Sequence, residues 1–241
     1  MARWNYVGQS FVSLLDPDGL GYPDTKTVHD IDSQPVDMPV APFQYLESHD
    51  HSQLISFVGL EANEAAPFGD RSLSYRLQPY AIALYTSGGT PMLWQGQEFA
   101  DNYVLPNDGN GRVRLRRDVN WEYFYDLYGQ PLVRLYRILG TLRHTCPALR
   151  SRELAYLPQS RPADKIVAYT RRSTAANQDA LVLLNFSDQD QSISVPFPTP
   201  GVYRKMIDND VRPAPFEITV NAANQMATVD VPPNYGYIFV T

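Results

Sequence analysis

The feature that most constrains this chain is a change of texture near residue 150. Up to Pro147, short apolar runs alternate with segments whose apolar residues recur at helical spacing. Beyond it come seven short β-rich runs, at 165–171, 180–186, 192–195, 202–207, 216–220, 227–231 and 235–240. Turn formers separate them, among them Ser187-Asp188, Pro198-Thr199-Pro200-Gly201 and Pro232-Pro233-Asn234. Strands at this spacing, with no helical pattern between them, predict an antiparallel β-sandwich. The chain is therefore expected to join two architectures, one over residues 1–150 and an all-β one over 151–241.

In the first part, Phe43 to Leu46 reads as a short buried strand that runs into Glu47-Ser48-His49-Asp50. Leu73, Leu77, Tyr80, Ala81, Leu84 and Tyr85 mark a helix over 72–86, with Asp70 or Ser72 as N-cap and Gly88-Gly89 as its stop. Pro91 to Trp94 is a second short strand, followed by the polar loop Gln95-Gly96-Gln97-Glu98. Leu132, Leu135, Tyr136, Leu139 and Leu142 mark another amphipathic helix, with Pro131 near its first turn. Strand, helix, strand, helix is the order of βα units around a parallel sheet. Residues 1 to 40, rich in Pro, Gly and Asp, read as loop with short elements, and 99–130 as a long loop excursion.

Composition narrows the function. The chain has 241 residues, 44% apolar, with a formal net charge of −6. That supports a sizeable core and argues against nucleic acid, which needs a basic surface. No apolar stretch is long enough to span a membrane. One cysteine, Cys146, excludes an intrachain disulfide and fits a reducing cytosol. Residues 1–10 show no secretory leader, so a cytoplasmic location is expected. His51 and His144 have no partners at ligand spacing, so no metal is assigned, and no cofactor motif is present.

Residues just past the C-terminal ends of parallel barrel strands line the active-site mouth. Asp50 beside His49 can hold sugar hydroxyls and stabilise positive charge at an anomeric carbon, or Asp50 can simply cap the next helix. Glu98 can face the same cleft, or pair with an arginine of the following loop. Gly96 is read as a residue that permits a tight backbone path. Arg112, Arg114, Arg116 and Arg117 can bind an anion or form one solvated face. Trp94 and Trp121 can stack on sugars or serve the core.

Together these segments resemble the α-amylase family of glycoside hydrolases. Tyr45-Leu46-Glu47-Ser48-His49-Asp50 is similar to that family's motif after the seventh barrel strand, with Ser48 where asparagine is usual. Gly89-Thr90-Pro91 through Gly96-Gln97-Glu98-Phe99 resembles its eighth-strand motif, as found in branching enzymes and maltooligosyltrehalose trehalohydrolases. Asn120-Trp121-Glu122, the helix end through Pro147-Ala148-Leu149-Arg150, and Asn185-Phe186-Ser187 with Tyr235-Gly236-Tyr237 continue the likeness in the same order.

The resemblance implies an incomplete C-terminal portion of a (β/α)8 catalytic barrel over residues 1–150, followed by an antiparallel β-sandwich domain. It implies that Asp50 is the third catalytic carboxylate, that His49 binds substrate beside it, and that Glu98 and Trp94 contribute to binding. The implied partner is an α-glucan or maltooligosaccharide, with the N-terminal part of the barrel or a second copy as a further partner. The family's nucleophile aspartate and acid/base glutamate have no counterpart segment here. A retaining glycosidase needs two such carboxylates about 5 Å apart, so the chain alone is expected to be inactive. The alternative is a non-catalytic glycan-binding or interaction module.

Overall fold

The computed structural model describes residues 11–13, 27–29, 35–37, 43–49, 52–60, 69–105, 116–207 and 216–241. In the first part, strands β1 (Phe11–Ser13), β4 (Phe43–Tyr45) and β5 (Thr90–Met92) form a parallel sheet in the order β1-β4-β5. Phe43 is registered with Phe11 on one side and Thr90 on the other. A separate antiparallel pair joins β2 (Thr27–His29) to β3 (Pro35–Asp37). The sequence pattern offers two parallel strands, whereas the sheet holds three. The extra one lies in the stretch read as loop, where three residues among turn formers give almost no periodic signal.

The helix expected over 72–86 is two elements. Arg71–Leu77 is a 3₁₀ segment, and α2 (Gln78–Thr86) follows it, α1 (Ile55–Leu60) having come before. Pro79 explains the switch: without an N–H it cannot donate to the carbonyl four residues back, so an α-helix cannot run through the joint. Asp70 is the N-cap, its carboxylate accepting from the Ser72 N–H at 2.9 Å. The next helix, α3 (Gly129–Thr145), buries Leu132, Leu135, Tyr136, Leu139 and Leu142, the stripe that its spacing predicts. A single turn, α4 (Pro147–Arg150), leads out of it.

The remaining strands are β6 (Glu153–Tyr156), β7 (Ile166–Ser173), β8 (Gln178–Asn185), β9 (Gln191–Phe197), β10 (Gly201–Lys205), β11 (Glu217–Val220), β12 (Gln225–Val231) and β13 (Tyr235–Val240). A six-stranded antiparallel sheet runs β11-β10-β13-β8-β7-β6, and β9 pairs with β12 in a second sheet. Phe197 of β9 meets Phe239 of β13 at 6.0 Å between rings, so the small sheet covers the large one. Strand β6 has no counterpart in the sequence reading. Its four residues alternate only between exposed and half-buried, and they follow a helix exit directly.

One apolar core runs through both parts, from Leu46 and α2 through α3 to the six-stranded sheet. Helix α2 lies against β13 so closely that a side chain at Gly236 would meet the Leu183 carbonyl at 2.7 Å and the Ile82 methyl at 3.3 Å. Polar groups also cross this seam. The Thr86 and Tyr169 hydroxyls are 2.5 Å apart. The fully buried Arg171 guanidinium donates to the carbonyls of Thr86 at 2.6 Å and Glu153 at 3.3 Å, and also to that of Ser151. Arg143 of α3 donates to the carbonyls of Tyr85, Ser87 and Gly89. Two cations thus cover the C-terminal end of α2, where orphan carbonyls and the helix dipole favour positive charge. Burial, with Arg171 nearby, pulls the Arg143 guanidinium down to about 10.

Candidate functional site

The parallel strands β4 and β5 end side by side, and the segments that leave them converge. Beyond β4, Leu46, Glu47 and Ser48 stay buried before the chain surfaces at His49. Beyond β5, Leu93 and Trp94 lead into a 3₁₀ turn, Gln97–Phe99. Gly96, at φ +83°, opens this turn, and a Cβ there would meet the Asp101 side chain at 2.6 Å. The sequence reading of Gly96 as a permissive backbone position is met, for this steric reason.

His49 and Trp94 come together, their ring centroids 6.0 Å apart and tilted by 48°. Gln53 ties the first loop to the second: its side-chain amide donates to the Gln95 carbonyl at 3.2 Å, and its backbone N–H donates to the Tyr103 carbonyl at 3.0 Å. In return, its side-chain carbonyl accepts from the Tyr103 N–H. Arg117 donates to the His49 carbonyl, and its guanidinium lies 5.8 Å from the Tyr103 ring. A pocket with about 250 Å³ of open space lies among Gln53, Trp94, Gln95, Asp101, Tyr103, Arg117 and Asp118.

Three buried groups hold the second loop. Arg71 donates to the carbonyls of Phe99 and Ala100, each at 2.9 Å, forks onto Asp126, and lies 3.6 Å over the Tyr123 ring. Burial opposes ionisation of Asp126, yet the hydrogen bonds from Arg71, Gly129 and Tyr128 prevail and hold its carboxyl below the ordinary range. Asp101 accepts from the Asn102 N–H and from both the N–H and the side-chain amide of Asn120. Gln97 donates to the buried Tyr136 hydroxyl at 2.9 Å.

The site residues read from sequence fall out differently. Asp50 lies outside the described residues, as do His51, Arg112 and Arg114. Trp94 is half-buried on the pocket wall, next to His49. Glu98, also half-buried, is in no ion pair among the described residues. Its charge acts instead on Glu47, Tyr85 and Tyr136, so the expected arginine partner is not found there. Trp121 is 63% exposed, which excludes the core role for it; only its edge reaches Phe99. Of the arginine run, Arg116 pairs with Asp118 at 2.7 Å in solvent, whereas Arg117 turns inward to the His49 loop.

Glu47 is the residue that sequence reasoning passed over. It is 2% exposed, its Oε1 accepts from the Leu54 N–H at 2.7 Å, and its Oε2 is buried with no hydrogen-bond partner. Burial pushes its carboxyl up to about 8, and the charges of Asp101 and Glu98 add to the shift. The one available signal was an acidic residue that extends a buried strand by two positions.

The parallel strands with their converging C-terminal loops, followed by an antiparallel all-β domain, are the C-terminal portion of a (β/α)8-barrel glycoside hydrolase fold. Residues 156–241 match the family model of the alpha amylase C-terminal all-beta domain. The chain is 32% identical over 161 residues to alpha-amylase MalA of Haloarcula japonica, covering 65% of this chain and 20% of MalA. It thus spans a fifth of that relative's length. Among solved structures, the acarbose complex of Geobacillus thermoleovorans α-amylase is similar with a TM-score of 0.59 at 15% identity, over 92% of this chain and 42% of that one. The debranching enzyme of Nostoc punctiforme gives 0.58 at 20% identity, over 83% and 36%. AmyP in complex with maltotriose gives 0.63 at 13%, over 83% and 41%. The resemblance to the α-amylase family is therefore shown, and this chain carries that family's C-terminal all-β domain.

Proposed function

We propose that this chain supplies the seventh- and eighth-strand mouth, within residues 1–150, and the all-β domain, within 151–241, of an α-glucan hydrolase or transglycosylase. The observation that supports this reading most is the meeting of His49 and Trp94, 6.0 Å apart, at the ends of two adjacent parallel strands. A flat indole and an imidazole at that position suit the apolar face and the hydroxyls of a pyranose ring. The solved complexes of AmyP with maltotriose and maltose favour an α-glucan as the ligand.

Within this reading, Asp50 follows His49 into the cleft and fixes ring hydroxyls. Its charge then favours the oxocarbenium-like transition state over the relaxed sugar. Glycosidic cleavage also needs a nucleophile and a proton donor on either side of the bond. No segment of this sequence resembles the family's segments for those two groups. The chain by itself therefore binds glucan without cleaving it.

A reducing-sugar assay on maltoheptaose and soluble starch tests this, with Asp50→Asn as control. No release of reducing ends is expected from either protein. Release by the unaltered chain that disappears in Asp50→Asn would mean that a working carboxylate pair resides within these residues. Maltoheptaose is expected to shift Trp94 fluorescence, and the shift should be lost in Trp94→Ala.

A further inference from the structure

Glu47 is built into the molecule in a way that glucan binding does not require. Its Oε1 closes the segment 47–54 by accepting the Leu54 N–H at 2.7 Å, and that segment carries His49. Oε2 is buried and meets no donor among the described residues. An ionised carboxylate accepts hydrogen bonds only and is strongly disfavoured when buried beside an empty oxygen position. The elements packed around it add no compensating charge. From the 97–101 turn come Glu98 and Asp101, both acidic, and from α3 comes the Tyr136 hydroxyl. Tyr85 of α2 lies within the influence of the same Glu98.

We infer that Glu47 is a positioning residue, a neutral carboxylic acid that clasps the His49 loop and releases it when the acid ionises. On ionisation, the proton leaves Oε2 to solvent and a negative charge appears against Glu98 and Asp101. The segment can relieve this by opening, because the Glu47–Leu54 bond is what closes it. The first group to move is His49, and its neighbour Trp94 reports the motion. This inference stands whether or not the chain binds glucan, since it concerns only loop geometry against pH.

The test uses the full chain with Trp4→Phe and Trp121→Phe, which leaves Trp94 as its one tryptophan. Fluorescence is followed from about pH 7 to about pH 9.5, below the ordinary tyrosine range. One transition is expected, with its midpoint near the value of about 8 to which burial lifts Glu47. Glu47→Gln keeps an acceptor for Leu54 and cannot ionise, so the transition should vanish while the low-pH spectrum is retained. A transition that persists in Glu47→Gln, or none in the parent, overturns the inference. An independent check is the carbon-13 shift of the Glu47 carboxyl in the unaltered chain. A midpoint near the ordinary value of 4.5 would overturn the inference equally, even if the glutamine variant did not fold.

Discussion

Two sheets built by one chain behave as opposites. In the all-β part, β13 has all six residues buried and is paired on both sides, with β8 along its whole length and with β10. In the first part, β4 and β5 are three residues each, and Phe43 is 44% exposed on the parallel sheet. Antiparallel strands joined by short turns bury and hydrogen-bond one another locally, whereas parallel strands depend on distant elements to cover both faces. The barrel-like part therefore gains much of its order from α2 and α3, which rest on the β-domain, rather than from its own sheet.

This contrast can be broken or sharpened by substitution. Arg171→Met should have the largest effect, about 3 kcal/mol or more, because it orphans the Thr86, Ser151 and Glu153 carbonyls at the seam. Thermal unfolding should stay a single transition at a lower midpoint. Two separated transitions would show that the parts fold independently.

Arg71→Leu comes next, costing about 2 kcal/mol by leaving the Phe99 and Ala100 carbonyls and Asp126 without their donor. Here the loss should be local. Hydrogen exchange is expected to speed up across 96–101 and 121–128 but not in β8 or β13.

Gly236→Ala, whose new methyl group meets the Leu183 carbonyl, should cost about 1–2 kcal/mol and lower the midpoint of the whole chain. Phe43→Ser is the control on the other sheet, with an expected change within about 0.5 kcal/mol.

The pH dependence divides the regions in the same way. Because the Glu47 pKa is raised from 4.5 to about 8, the folded chain in that window keeps a proton that the unfolded chain has released. The stabilisation is complete below the unfolded value and is lost as pH rises through the folded one. Glu47→Gln should flatten that slope in urea titrations at successive pH values.

The contrast also separates what the sequence made legible from what it did not. The stripe Leu132, Leu135, Tyr136, Leu139, Leu142 announced α3, and alternating apolar runs announced β7 to β13, because in both cases burial follows chain periodicity. The 3₁₀ joint at Pro79 could have been read from that proline, but the apolar spacing on either side masked it. The pairing of Gln53 with Tyr103 and the clamp of Arg71 on Ala100 involve polar residues far apart in sequence, and no local pattern encodes such contacts. The same holds for Glu47. Its character comes from what surrounds it in space, and only its place after an apolar strand was visible beforehand.

The two arginines over the end of α2 have a consequence for how such proteins can be recombined. Arg143 belongs to α3 and Arg171 to β7, yet both are anchored on carbonyls of residues 85–89. A hybrid made by exchanging everything after Arg150 would keep the carbonyls and discard one of the cations that cover them. Domain shuffling in this fold should tolerate junctions that move 78–89 together with 143–241, and select against any junction placed between them.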